Sequence, residues 1–233
     1  MTLTTNDPRA ALSPGLRYDS KRELTYAKPV WRGWMHLVGF EISLVVGTLL
    51  VVHAHGAAEI GSAGIYAGTV SGLFGTSALY HRGNWGAQAH QLLQRLDHVM
   101  IFLLIAGTAT PVFLLVAKRS AGTVLLGVMW TLTALALLTH LVWMDAPEAL
   151  VGGTFIGLGC VGGAALPFVW MHVGIAAFAL MLSGGLMYVI GALLYHRRRP
   201  DPAPTVFGFH EVFHAFVSAG AAAHYVAIAL LIM

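Results

Sequence analysis

Charge is what this sequence has least of. Only 10% of its 233 residues are Asp, Glu, Lys or Arg, while 57% are hydrophobic, against roughly a quarter charged in an ordinary soluble domain. So few charges exclude a water-soluble fold, which could not cover its surface with them. Cysteine is scarcer still. Cys160 stands alone, so no internal disulfide can form, and its place in an apolar run points to buried packing. Short alternating runs of apolar and polar residues are also missing, which argues against a transmembrane β-barrel. The polar tail, residues 1–32, lacks the short basic start, apolar core and small-residue cleavage site of a secretory signal and is expected to stay attached and cytoplasmic.

What the sequence does have is a series of apolar blocks of about 20 residues, the length that crosses a hydrocarbon core of roughly 30 Å. Seven can be drawn: 35–52, 60–80, 99–117, 121–143, 149–168, 171–195 and 207–232. No backbone polar group can go unpaired in lipid, so each is expected to be a helix. The expected fold is an all-α membrane protein, a seven-transmembrane-helix bundle occupying residues 33–233. Connections as short as Lys118, Arg119 and Ser120 leave no room for a second domain. Gly152, Gly153, Gly157 and Gly159 in the fifth block suggest close helix contact there, and Pro111 is expected to bend the third.

Basic residues set the orientation. Arg9, Arg17, Lys21, Arg22, Lys28 and Arg32 lie in the tail, Arg82 and Arg95 in the second loop, and Arg197, Arg198 and Arg199 in the sixth. With seven spans these share one side, and Lys118 and Arg119 fall on the other. The positive-inside rule then places the N-terminus in the cytoplasm and the C-terminus outside, in the plasma membrane. The arginine cluster reads as an anchor meeting anionic lipid, so membrane lipids and not nucleic acid are the expected partners. Oligomeric state is not legible.

Twelve histidines in so apolar a chain call for a reason. His210 and His214 stand at i and i+4 in the seventh span, on one face, where two imidazoles can share a metal. Ser77 and His81 have the same spacing at the end of the second span, and Asp97 opens the third. The topology brings all five to one depth, near the cytoplasmic leaflet. Three imidazoles are a familiar set for catalytic zinc, with the fourth position left to water. The expected site is therefore Zn²⁺ held by His81, His210 and His214. Asp97 would hydrogen-bond the water, and Ser77 would orient Asp97 or that water. Zinc brings the pKa of water to roughly 7 and polarises a carbonyl. The bland alternative is that the histidines only bridge helices.

These residues carry a resemblance. Ser77-Ala-Leu-Tyr-His81, Arg95-Leu-Asp97-His98 and Phe209-His210-Glu-Val-Phe-His214 resemble the signature set of the hemolysin III family, which is grouped with the progestin and adipoQ receptors, the adiponectin receptors among them. The likeness runs from about Trp31 to the C-terminus. It implies a seven-helix fold with a cytoplasmic N-terminus, zinc at the three histidines, Asp97 and Ser77 around the water, and hydrolysis of lipid amides of the ceramide type. The first span departs from the pattern: it reads Gly33-Trp-Met-His-Leu37 and then Glu41, without an acidic, Asn-containing opening.

Other readings compete. His210-Glu211-Val-Phe-His214 also satisfies HExxH, where the Glu is the general base of a metalloprotease. That reading leaves His81 and Ser77 without a role, and Glu211 is more simply a solvated residue at a helix start. Glu41, whose charge costs roughly 2.5 to 3.5 kcal/mol inside a span, is expected to face the bundle. His36 lies where it could join the surroundings of the metal, His98 points about 100° from Asp97, and His224 reads as interfacial. Four functions remain in view. They are a zinc hydrolase acting on an amide or ester that enters from lipid, a receptor with structural zinc, a cytolytic membrane protein and a transporter. No repeated halves support the last.

Overall fold

The computed structural model of the chain describes residues 16–19, 24–117, 119–143 and 147–233. Arg9, Lys21, Arg22 and Lys118, four of the cations used for orientation, lie outside them. A short antiparallel pair, β1 (Leu16–Asp19) and β2 (Leu24–Ala27), joins Leu16 to Ala27 and Asp19 to Leu24 in register. Among the described residues the elements that follow are helices: α1 (Trp34–His53), α2 (Ala57–Arg82), α3 (Ala87–Leu115), α4 (Arg119–Val142), α5 (Glu148–Gly163), α6 (Leu166–His172), α7 (Ile175–Arg197) and α8 (Phe209–Ile232).

Among the described residues, six segments are long and apolar enough to cross a membrane: Trp34–His53, Gln88–Leu115, Ser120–Val142, Leu150–His172, Ile175–Arg197 and Phe209–Ile232. The fifth of these combines α5 and α6, and Pro167 sits in the first turn of α6, where its missing N–H costs nothing. Two boundaries differ from the sequence reading. The third helix begins at Ala87, a polar stretch before the apolar block, and the break expected near residue 170 falls at 173–174. The expected second span, α2, is not among the six. It packs along both α1 and α3 and buries Ser62, Tyr66, Phe74, Ser77 and His81. A helix that meets protein on two sides is not required to be apolar all round.

Three buried clusters hold the helices together. Phe102, Phe113, Met129, Leu158 and Val169 join α3 to α6. At one end of the bundle Leu50, Ala63, Tyr66, Ile228 and Ile232 join α1, α2 and α8. Leu73, Phe74, Leu104, Val217 and Ala221 continue the α2, α3 and α8 contact toward the other end. Outside, Val45, Val52, Leu138, Met171 and Ile175 are among many large apolar side chains left exposed. A surface this continuous in apolar residues suits hydrocarbon rather than water.

Close helix contact is made elsewhere than expected. Nothing lies within 4 Å of where a Cβ would stand on Gly152, Gly153, Gly157 or Gly159, because α5 turns other residues, Leu158 among them, to its neighbours. The close pair is Gly184 of α7 and Gly220 of α8, where a Cβ on either would meet the other's carbonyl oxygen at 3.0 Å. Cys160 is exposed rather than buried. Glu41 likewise lies on the outer face of α1, beside Val38, Ile42 and Val45. His224, expected at an interface, is buried within α8 and donates from Nε2 to the carbonyl of Met181 at 3.0 Å.

Candidate metal centre

Local structure at three helix ends prepares the site. In α8, the first turn is tied down by side chains that accept its free backbone N–H groups. Glu211 Oε2 takes that of Gly208 at 2.8 Å and Asp201 Oδ1 that of Phe209 at 2.9 Å. His210 and His214 follow on one face of this anchored turn. Ser77 and His81 lie in the last two turns of α2, both buried. Asp97 lies in α3, about ten residues from its start. The entry to α1 passes over the end of α2 at Gly33, whose φ is +80°. A Cβ there would stand 2.9 Å from His81 Cβ, so both the backbone angle and the space call for glycine.

The five residues singled out by spacing meet at this end of the bundle. One ligand atom from each of His81, His210 and His214 lies within 4.8 Å of the other two. His81 Nε2 and His210 Nε2 are 3.2 Å apart, and ligands at ~2.0 Å from a tetrahedral ion would stand about 3.3 Å apart. The rings are steeply inclined, at 79° for His81 and His210, 60° for His81 and His214 and 66° for His210 and His214. Inclined planes let three lone pairs converge on one point. Asp97 Oδ2 is 3.8 Å from His81 Nε2, too far for a hydrogen bond and near enough to share a small ligand with it. The Ser77 hydroxyl faces the Asp97 carboxylate. Three buried or half-buried histidines thus form a group that could hold a metal ion.

Glu211 does not fit the protease reading, nor that of a solvated residue. It is fully buried, and both carboxylate oxygens are engaged, one by the Gly208 N–H and the other by Arg32 Nε. It closes a helix start and anchors the chain ahead of α1. That segment is held further by backbone hydrogen bonds from Val30 to Thr205 and Trp31 to Val206, both 3.1 Å. Beside it, the Arg82 guanidinium covers the Trp34 ring at 3.6 Å and Lys28 donates to the Arg82 carbonyl. Nothing in the sequence marked this pair, because Arg32 reads there as one more cation of a basic tail.

His36 belongs to the site more closely than its sequence position conveyed. It is 3% exposed and stacks on His214 with ring centroids 3.8 Å apart and planes 7° from parallel, with Phe74 edge-on at 5.1 Å. His98 turns away as expected. It bonds the Gln94 carbonyl and stacks with His140, at 5.6 Å. An apolar cavity of about 320 Å³ opens there, between α3, α4 and α5, lined by Phe102, Leu132, His140, Val151 and Leu158. None of the five site residues lines it.

Comparison with known proteins gives the family of the chain. Residues 24–225 match the family described as Haemolysin-III related. The chain is 27% identical to Hemolysin-3 of Bacillus cereus over 190 residues, covering 80% of this chain and 84% of that protein. It is 26% identical to the Hemolysin-3 homolog of Bacillus subtilis (strain 168), covering 81% and 86%. A plant protein is also similar: Heptahelical transmembrane protein ADIPOR2 of Oryza sativa subsp. japonica is 31% identical over 160 residues, 62% of this chain and 70% of that one. With six apolar segments of membrane-crossing length among the described residues, a group of buried and half-buried histidines and a match over most of its length, the chain is a multi-pass integral membrane protein of the haemolysin III family, related to the progestin and adipoQ receptor group.

Proposed function

We propose that this protein is a zinc-dependent hydrolase of lipid amides, with zinc at His81, His210 and His214 and with Asp97 and Ser77 serving the attacking water. The observation that carries the reading is the convergence of three imidazole ligand atoms within 4.8 Å, next to a carboxylate 3.8 Å from one of them. Three nitrogen ligands leave a tetrahedral ion one open position, the arrangement of catalytic rather than closed structural sites. Bound zinc supplies a lowered water pKa and polarisation of the substrate carbonyl. The chain's own residues do the rest. Asp97 Oδ2 accepts the proton of the attacking water while the water oxygen bonds to the amide carbon. It returns that proton to the nitrogen as the C–N bond breaks, leaving a fatty acid and a free amine. Ser77, facing the Asp97 carboxylate, would donate to it and keep it aimed.

The reading includes seven spans, a cytoplasmic N-terminus, an external C-terminus and residence in the plasma membrane. At 26 residues, α2 would be the seventh span, since at 1.5 Å per residue it is about 39 Å long, enough for the hydrocarbon core. The likeness to a heptahelical plant protein supports the same count. The histidines and Asp97 then lie at the cytoplasmic leaflet, level with amide groups near the lipid headgroups.

Metal content by mass spectrometry, paired with hydrolysis of ceramides in detergent micelles, tests the reading. Purified protein should hold about one zinc per chain and release fatty acid. Asp97→Ala should keep the metal and lose about 10²- to 10⁴-fold in rate. Absence of zinc from well-folded protein, even after dialysis against it, would refute the site. Equal rates for Asp97→Ala and native protein would refute the role of Asp97.

A further inference from the structure

We infer that His36 is a positioning residue, which sets the plane of His214 by stacking in place of the hydrogen bond that ordinarily orients a metal-binding imidazole. The inference rests on the metal reading above and concerns how the ion is held. Metal-binding histidines almost always donate their second ring N–H to a carboxylate, a backbone carbonyl or water, which fixes the ring's rotation. With Nε2 of His214 toward the ion, the second ring nitrogen is Nδ1, which is buried and makes no hydrogen bond of standard geometry. What His214 has instead is the His36 ring lying flat on it, centroids 3.8 Å apart and planes 7° from parallel.

The same geometry shows that His36 is not a fourth ligand. An imidazole lone pair lies in its ring plane, and ligand bonds are ~2.0 Å long. An ion in the plane of His214 therefore stands well off the plane of His36, where no lone pair points. The parallel stack contrasts with the steep angles between the three triad rings, as expected if those rings converge on an ion and this one only backs one of them. His36 is itself held. It lies in the first turn of α1, 3% exposed, with Phe74 edge-on at 5.1 Å. Behind it, the chain entering α1 is anchored by Arg32 on Glu211, a residue of the same α8 turn that carries His210. The start of α1 and the start of α8 are thus joined twice, once by the ion pair and once by the stack. His36 supplies a flat face at a fixed position; its ring also faces the His214 backbone, and neither ring nitrogen makes a hydrogen bond of standard geometry.

The prediction is that flatness at position 36, not nitrogen, holds the ion. Full-length protein in detergent would be stripped, loaded with Co²⁺ and titrated with a competing chelator while the visible d–d absorption is recorded. His36→Ala and His36→Leu should each weaken Co²⁺ binding by about 10- to 100-fold and alter the band shape, whereas His36→Phe should stay within about threefold of native. Leu and Phe have comparable bulk, so their comparison stands even if the Ala variant fails to fold. Native-like affinity and spectrum in His36→Leu would overturn the inference. A His36→Phe as weak as His36→Leu would overturn it too, because the nitrogens would then be doing the holding. Native protein that binds no Co²⁺ would instead refute the metal reading itself.

Discussion

Replacing Arg32 with methionine removes one partner of a carboxylate that has nowhere to go. Glu211 is fully buried and keeps only its hydrogen bond from the Gly208 N–H once Arg32 is gone. Breaking a buried pair on one side costs about 3 to 5 kcal/mol, because an uncompensated charge is left inside. The Arg32 side chain is 12% exposed, so water reaches the rim of the pair and the lower figure applies, ~3 kcal/mol. For a chain of this size that corresponds to about 6 to 12 °C in Tm. Tryptophan fluorescence during a thermal ramp in detergent would read it. Removing both charges, with Arg32→Met and Glu211→Gln together, should cost less than Arg32→Met alone, since no orphaned ion remains. A Tm change below about 2 °C for Arg32→Met, or a strictly additive double variant, would refute the reasoning. The result also bears on catalysis. As a structural anchor, Glu211 should show its loss in stability, whereas a general base would show it in rate with stability unchanged.

Three further outcomes are expected. His81→Ala, His210→Ala and His214→Ala should each lose the bound metal by mass spectrometry. In native protein the affinity should fall in acid, because an imidazole must be neutral to ligate. Retention of metal by any two of these variants would break the triad assignment. Thr110→Val leaves the Trp130 Nε1–H, now 3.1 Å from Thr110 Oγ1, without its acceptor. It should cost about 1 to 3 kcal/mol in denaturant unfolding, and a neutral result would mean that this bond contributes nothing. Gly184→Leu forces a side chain against the Gly220 carbonyl and His224. Its expected cost is about 1 to 3 kcal/mol or more by thermal shift, while the same change at Gly157, where nothing lies within 4 Å, should be close to neutral.

The site was legible to the extent that its geometry is local. His210 and His214 share a face because of the helix period alone, and so do Ser77 and His81. That α2 ends where α3 and α8 begin followed from counting apolar blocks. The distance from His81 to His210, 129 residues away in sequence, did not follow from any pattern, and neither did the stack of His36 on His214. Glu211 was misread because an acidic residue in a first helical turn usually faces water. Here the segment before α1 folds over it and supplies Arg32. The second helix escaped the simple criterion of length and apolarity for the opposite reason, since it meets protein on both sides and carries small and polar residues.

The sequence by itself determined that the chain is helical, apolar on its surface and membrane-embedded, because roughly 20-residue apolar blocks with few charges admit no other backbone arrangement in lipid. It also determined which histidines share a helix face. Only the tertiary structure decided which side of each helix looks inward. In water, burial separates apolar from polar residues and writes the inward face into the pattern. In hydrocarbon both faces are apolar, so Leu, Val and Gly carry no such mark. That is why Gly157 and Cys160, read as packing residues, proved to lie on the outside.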